Sequence, residues 1–252
     1  GDKVFLDGID ITPEQFYEKL KASKENPTTS QPSPAAFHEM YQKLLGDGYD
    51  ILSIHISSKL SGTLDSAIQA KNMLPGARIQ LVDSLSTSYA MGFHVLAAAR
   101  LAAQGATLEE CKAEAEKAKA HSGVFFLVNT REYLHRGGRI GGAAAFMGTM
   151  LNLKPLLGLQ DGRVEAIERV RTTTKAIDRL LHLFEKAVGH KSPIHIAALH
   201  ADTPDDAQML LQRARDHFSV NLVHEVMVAR ISPVLGVHTG PGTLGIAYMA
   251  GM

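Results

Sequence analysis

The sequence predicts an α/β protein in two domains, a parallel-sheet α/β domain over residues 1–121 and a mixed α+β domain over residues 122–252. Three observations predict it. In the first half, apolar runs of strand length alternate with stretches whose apolar residues recur at helical spacing, which implies a parallel sheet covered on its faces. In the second half, Asp161-Gly162 separates two strand-like runs, a strong hairpin signal. The 252 residues, 45% hydrophobic and 21% charged, suffice to bury the cores of two modest domains.

The elements follow in order. Thr12 as N-cap, Pro13 at the first helical position and Gln15 three residues after the cap predict a helix over Pro13–Ala22. The hydroxyl- and proline-rich stretch Asn26–Pro34 must be loop. Ser33 then caps a helix over Pro34–Leu45, whose Phe37, Met40, Tyr41, Leu44 and Leu45 share one face. Ile51–Ile56 reads as a buried strand, Ser57–Thr63 as a turn leading into a helix that ends near Leu74, and Arg78–Asp83 as a second strand. Helices over Ser84–Ala103 and Leu108–Ala120 are split at Gly105.

Ser122-Gly123 opens the second half. A strand over Val124–Val128 precedes a short helix over Thr130–His135, a break at Gly137-Gly138-Arg139 and a Gly/Ala-rich helix over Gly141–Asn152. The hairpin pairs Leu156–Gln160 with Val164–Arg171, and a long amphipathic helix over Lys175–Val188 follows. A strand over Ile194–Ala201, a helix over Pro204–Phe218 and strands over Asn221–Ile231 and Leu244–Met249 close the chain. His238-Thr239-Gly240-Pro241-Gly242 reads as a tight loop between the last two strands.

Composition excludes several functions. Lys plus Arg and Asp plus Glu both number 26, so the formal charge is zero, without the basic footprint expected of a nucleic-acid-binding protein. The single Cys111 cannot form an internal disulfide and reads as a small buried helical residue. Twelve histidines show no His-Glu-x-x-His or comparable pairing, and His195 and His200 fall on opposite faces of their strand, so no metal is expected. Gly137-Gly138-Arg139-Ile140-Gly141-Gly142 fits neither the phosphate loop nor the dinucleotide fingerprint and reads as a hinge. No apolar run approaches the roughly 18 residues of a membrane span, and no secretory segment opens the sequence, so a cytoplasmic location is expected.

Six motifs occur in a distinctive order: Thr28–Ser33, Ser57–Thr63, Gly137–Ile140, Lys154-Pro155, Val170–Thr172 and His238–Gly242. In order and spacing they resemble the DegV family, from about Asp7 to the C-terminus. The resemblance implies a two-domain α/β protein with a long-chain fatty acid between the domains and no other cofactor. It also implies a partner, since some members are the fatty-acid-binding subunit of a bacterial fatty acid kinase. There the binding protein presents the carboxylate to a separate catalytic subunit that makes the acyl phosphate. Family members usually carry some tens of residues before the position of Asp7, including a first strand, and this sequence does not contain them.

By the same resemblance Thr29 and Ser61 match the family's carboxylate-binding threonine and serine, and Arg171 matches an arginine near the portal. The residues give an independent argument. Burying about 14 methylenes at about 0.8 kcal/mol each yields a gross term on the order of 11 kcal/mol, much of it offset by lost freedom. The carboxylate head needs donors, because an unpaired buried charge is very costly. Thr29 and Ser61 lie in hydroxyl-rich loops beside helix N-termini, where free N–H groups favour an anion. Such hydroxyls also serve as ordinary caps, a role open to Ser30, Ser57, Ser58 and Thr63. Ser30 and Thr239 flank Thr29 and His238 and complete the candidate ligand-binding set. His238 is placed to donate to the head group or to a phosphoryl group, and Arg169 and Arg171 share a strand face suited to a carboxylate or a kinase. Two other readings use the same residues: an acyl-ester hydrolase or transferase with Ser61 as nucleophile and His238 as base, which lacks the Gly-x-Ser-x-Gly elbow, and a lipid-gated interaction protein.

Overall fold

The computed structural model describes residues 3–23, 25–129, 132–139, 141 and 154–252. Apart from Gly141, the helix expected over residues 141–152 lies outside the described residues. The chain forms two compact units, one of residues 30–122 with 161–163, the other of residues 1–29, 123–160 and 164–252. The first thirty or so residues therefore group with the second half of the chain, for a reason visible in their packing described below.

The unit of residues 30–122 is built around two parallel strands, β1 (Ile51–His55) and β2 (Ile79–Asp83), in register from Ile51 opposite Ile79 to His55 opposite Asp83. Alternation along the strands divides its apolar residues between two layers. Ile51, Ile79 and Leu81 pack with Tyr41, Phe37 and Leu44 of α2 (Pro34–Gly46) and Ala67 and Ala70 of α3 (Thr63–Asn72). Leu52, Ile54 and Val82 face Ala98 of α4 (Ser88–Ala102) and Cys111 and Ala115 of α5 (Leu108–Ala118). Cys111 is buried there. Helix α4 starts four residues later than the apolar pattern predicts. Ser84 bonds the backbone of Ser86 in both directions, Asp83 accepts from Leu85 N, and Leu85 and Ser88 have φ of 50° and 52°. Side chains that bond their own backbone compete with helix, and here they win.

The second unit holds a six-stranded mixed sheet. Its strands are β3 (Ser122–Leu127), β4 (Lys154–Gln160), β5 (Arg163–Val170), β6 (Ile194–His200), β7 (Val223–Arg230) and β8 (Leu244–Ala250), in the order β5-β4-β3-β8-β6-β7. β3 pairs antiparallel with β4 and β6 with β8, whereas β6 and β7 are parallel. At the tip of the β4–β5 hairpin Asp161 and Gly162 both have positive φ, 48° and 80°, as the Asp-Gly signal demands. The remaining helices are α6 (Glu132–Arg136), α7 (Thr173–Val188), α8 (Pro204–Asp216) and α9 (Pro233–Thr239). Leu180, Leu181 and Phe184 of α7 and Leu210, Leu211 and Ala214 of α8 bury one sheet face with Leu156, Ile194, Ile196 and Ile246. Every residue of β6 is buried. Its two histidines are satisfied there, His195 by Glu225 at 3.1 Å and His200 by accepting from Thr203 N at 3.2 Å. Among the described residues there is no cluster of three or more metal-ligating side chains, and no helix is long and apolar enough to cross a membrane.

Helix α1 (Pro13–Ala22) belongs to this unit because its apolar face packs on α9. Phe16 and Tyr17 crowd Gly236, where a Cβ would stand 2.6 Å from Tyr17 Oη and 2.8 Å from Phe16 Cε1. Tyr17 Oη, fully buried, donates to Ile231 O at 3.0 Å. Ion pairs of Lys21 with Asp202 and of Arg230 with Glu14 flank that contact. Helix α9 replaces part of the expected loop: His238 and Thr239 are its last residues, and Gly240 caps it with φ 77°. A helix of seven residues is too short to display a period, although Ser232-Pro233 carries a start signal. Ser232 supplies no side-chain cap, and Asp7 accepts from Val234 N instead at 3.1 Å.

Candidate functional site

Thr29 and His238 are brought together within one unit. Thr29 Oγ1 and His238 Nε2 are 2.9 Å apart, across 209 residues of sequence. The other ring nitrogen, His238 Nδ1, is buried with no partner among the described residues. A bare lone pair is cheaper to bury unpaired than an N–H. That assigns the proton to Nε2, which donates to Thr29 Oγ1 and leaves the threonine O–H free to donate in turn. Burial, and secondarily the Arg139 guanidinium, hold the His238 pKa below its ordinary value, so the ring is neutral near pH 7. The corner thus offers a polarised hydroxyl donor beside a neutral imidazole and a cation, donors that suit an anionic acceptor without a buried charge of their own.

Around this corner the sequence motifs interlock. Arg139 donates to Gly137 O at 2.7 Å. Lys154 of the Lys-Pro motif donates to Asn129 Oδ1 at 3.1 Å, and Asn129 in turn lies against Gly242, leaving no room for a Cβ there. Thr239 Oγ1 donates to Leu235 O at 3.2 Å, which commits its proton to its own helix.

Ser61 lies in the other unit, in the turn that leads from β1 into α3. Its Oγ is 2.8 Å from Thr63 Oγ1 and accepts from Thr63 N at 3.3 Å. The residue therefore serves the helix N-terminus and presents a half-buried hydroxyl there. Gly62, the residue before the helix, makes no side-chain cap. A Cβ at Gly62 would stand 2.8 Å from Gln31 Cδ, and Gln31 Nε2 donates to Ser66 Oγ at 3.2 Å. Ser57 is buried and donates to Gly162 O at 2.8 Å, while Asp83 accepts from Ser58 N at 3.2 Å. The Ser57 hydroxyl thus has a structural duty, whereas Ser58 contributes its backbone N–H.

Ser30 is exposed. Arg171 is exposed one residue beyond the end of β5, with Val170 buried and Arg169 exposed before it, as strand alternation requires. Sequence reasoning missed Tyr133, Gln31 and Asn129 as neighbours of the motifs. Gln31 stood inside a recognised motif, but nothing in sequence shows that Asn129 or Tyr133 meets residues more than a hundred positions away.

A family model described as "Uncharacterised protein, DegV family" matches residues 1–251. A DegV domain-containing protein of Streptomyces coelicolor is 41% identical over 98% of this chain and 86% of its own length. Among solved structures, a DegV family protein from Thermus thermophilus, described for its fatty acid binding, superposes with a TM-score of 0.89 at 39% identity, covering 98% of this chain and 88% of that one. DegV of Bacillus subtilis, described as a fatty acid binding protein, has a TM-score of 0.88 at 32% identity and covers 99% of this chain and 88% of its own. A match over the whole length, in sequence and in fold together, leaves one conclusion: the chain belongs to the DegV family.

Proposed function

We propose that this protein binds a long-chain fatty acid, with Thr29 and Ser61 donating to the carboxylate, His238 behind Thr29, and the alkyl tail in an apolar tunnel. The observation that carries the reading is the Thr29–His238 hydrogen bond, which frees one hydroxyl proton for an anionic acceptor. The fatty acid binding described for the Thermus and Bacillus relatives supports it. A fatty acid suits such donors because its tail gains by leaving water while its carboxylate must be paired. Hydroxyls supply that pairing without a buried cation.

The carboxylate of a bound fatty acid is also the atom group a kinase would phosphorylate. Presentation to the catalytic subunit of a fatty acid kinase is accordingly our fuller reading, with exposed Arg171 as a docking or portal residue. Native mass spectrometry of the purified protein tests the first step. A non-covalent adduct of fatty acid mass, released on denaturation, is expected. A covalent acyl group on Ser61 would replace the carrier by an acyl-transferring enzyme, and an adduct that never appears, even after incubation with palmitate, would end the lipid reading.

A further inference from the structure

The Gly137-Gly138-Arg139 motif acquires a role once its two glycines are considered separately. Gly138 has φ 66° and no atom of the described residues within 4 Å of the position of a Cβ, so it is glycine for its backbone. Gly137 has the opposite character. Its φ lies outside the left-handed range, but a Cβ there would collide with His238 Nδ1 and stand 3.2 Å from His238 Cε1 and 3.1 Å from Tyr133 O. The Nδ1 edge of the imidazole stands against the bare Cα. The reverse contact is made by the other segment: a Cβ at Gly240, the cap of α9, would collide with Tyr133 Cδ2 and stand 2.7 Å from Tyr133 Cε2. A ring of α9 sits on a glycine after α6, and a ring of α6 sits on the glycine after α9.

We propose that Gly137 is a positioning residue for His238, holding its imidazole where Nε2 reaches Thr29. The inference rests on the carboxylate reading given above and extends it to a residue that touches no ligand. Rings are stiff, and this one is caught between Gly137 and the 2.9 Å bond to Thr29. A methyl group at Gly137 has no room unless the imidazole swings away, because the other near atom is backbone carbonyl. Swinging away breaks the Nε2–Thr29 bond and removes the polarisation of the Thr29 hydroxyl.

The test is a double-mutant cycle on palmitate affinity with Gly137→Ala, His238→Ala and the pair, each variant also followed by thermal unfolding. Gly137→Ala is expected to weaken binding about tenfold, the usual size of one lost hydrogen bond to a charged group. In the His238→Ala background the same methyl group meets no ring, so Gly137→Ala is expected to change affinity and melting temperature by less than about twofold and about one degree. Gly138→Ala, which strains the backbone but meets no side chain among the described residues, is expected to lower stability and leave affinity unchanged. A Gly137→Ala effect of equal size in both backgrounds, or none in either, would overturn the positioning role while leaving the lipid reading intact. A wild-type protein that binds no fatty acid would sink the underlying reading, and this inference with it.

Discussion

Replacing Thr29 by valine keeps the shape of the side chain and deletes only the hydroxyl. Two consequences separate cleanly. Without ligand, His238 Nε2–H loses its acceptor at 2.9 Å in a half-buried position. A deprived N–H costs about 1–3 kcal/mol when buried, and partial access to water brings the expected loss of folding stability to about 1 kcal/mol. With ligand, the carboxylate loses one charge-assisted donor, worth about 1.5–3 kcal/mol. Part of that returns if the freed imidazole N–H donates directly to the carboxylate. The net expectation is a rise in Kd of about tenfold to a hundredfold, or about 1.4–2.7 kcal/mol. Displacement of a fluorescent fatty acid by palmitate at pH 7.5 measures the change in Kd, and urea unfolding of delipidated protein the loss of stability. An unchanged Kd beside a measurable loss of stability would make Thr29 a structural partner of His238 and refute its place at the carboxylate.

Other outcomes follow from the same account. Ser61→Ala should weaken palmitate binding by about 1–3 kcal/mol, and because Ser61 Oγ also accepts from Thr63 N, a small loss of stability should accompany it; an unchanged Kd would return Ser61 to the role of a helix cap. Arg171→Ala should lower acyl-phosphate formation with a cognate kinase while lipid content stays near normal, since the side chain is exposed; loss of lipid instead would move Arg171 into the pocket. His94 is fully buried, bonded to Ser122 Oγ at 2.6 Å, and burial with help from Lys119 lowers its pKa from 6.5 to about 4. Above pH 6.5 both folded and unfolded states carry it neutral; below that the unfolded state gains the proton first, so stability falls until about pH 4, by about 3 kcal/mol in all. Denaturant unfolding of wild type and His94→Gln across that range should show a shallower slope in the variant, and parallel curves would remove His94 as a source of it.

Local signals in the sequence translated directly into structure. The Thr12–Gln15 cap makes both of its reciprocal bonds, and Asp161-Gly162 turns the β4–β5 hairpin. Helix α9 was not legible, because seven residues hold too few turns to show a period, and the start of α4 was misread because hydroxyl and carboxylate side chains of residues 83–86 capture the backbone locally. The candidate site divides the same way. Thr29, Ser61 and His238 stand out through motifs matched to a family, whereas spacing alone leaves Thr29 and Ser61 as possible caps and His238 as a turn residue. Their partnerships depend on contacts between distant segments. Nothing in the stretch Gly137–Arg139 states that its first glycine faces an imidazole about a hundred residues later, and a hinge was the natural reading. The long-range pairing of Tyr17 with Ile231, 214 residues apart, is equally silent in sequence, and it explains why α1 groups with the second half of the chain.

A crystal structure of the protein loaded with palmitate addresses the head-group assignment most directly. The account predicts carboxylate oxygens within about 2.5–3.0 Å of both Thr29 Oγ1 and Ser61 Oγ, with His238 Nε2 still bonded to Thr29. A lipid whose carboxylate lies away from these two hydroxyls would contradict it.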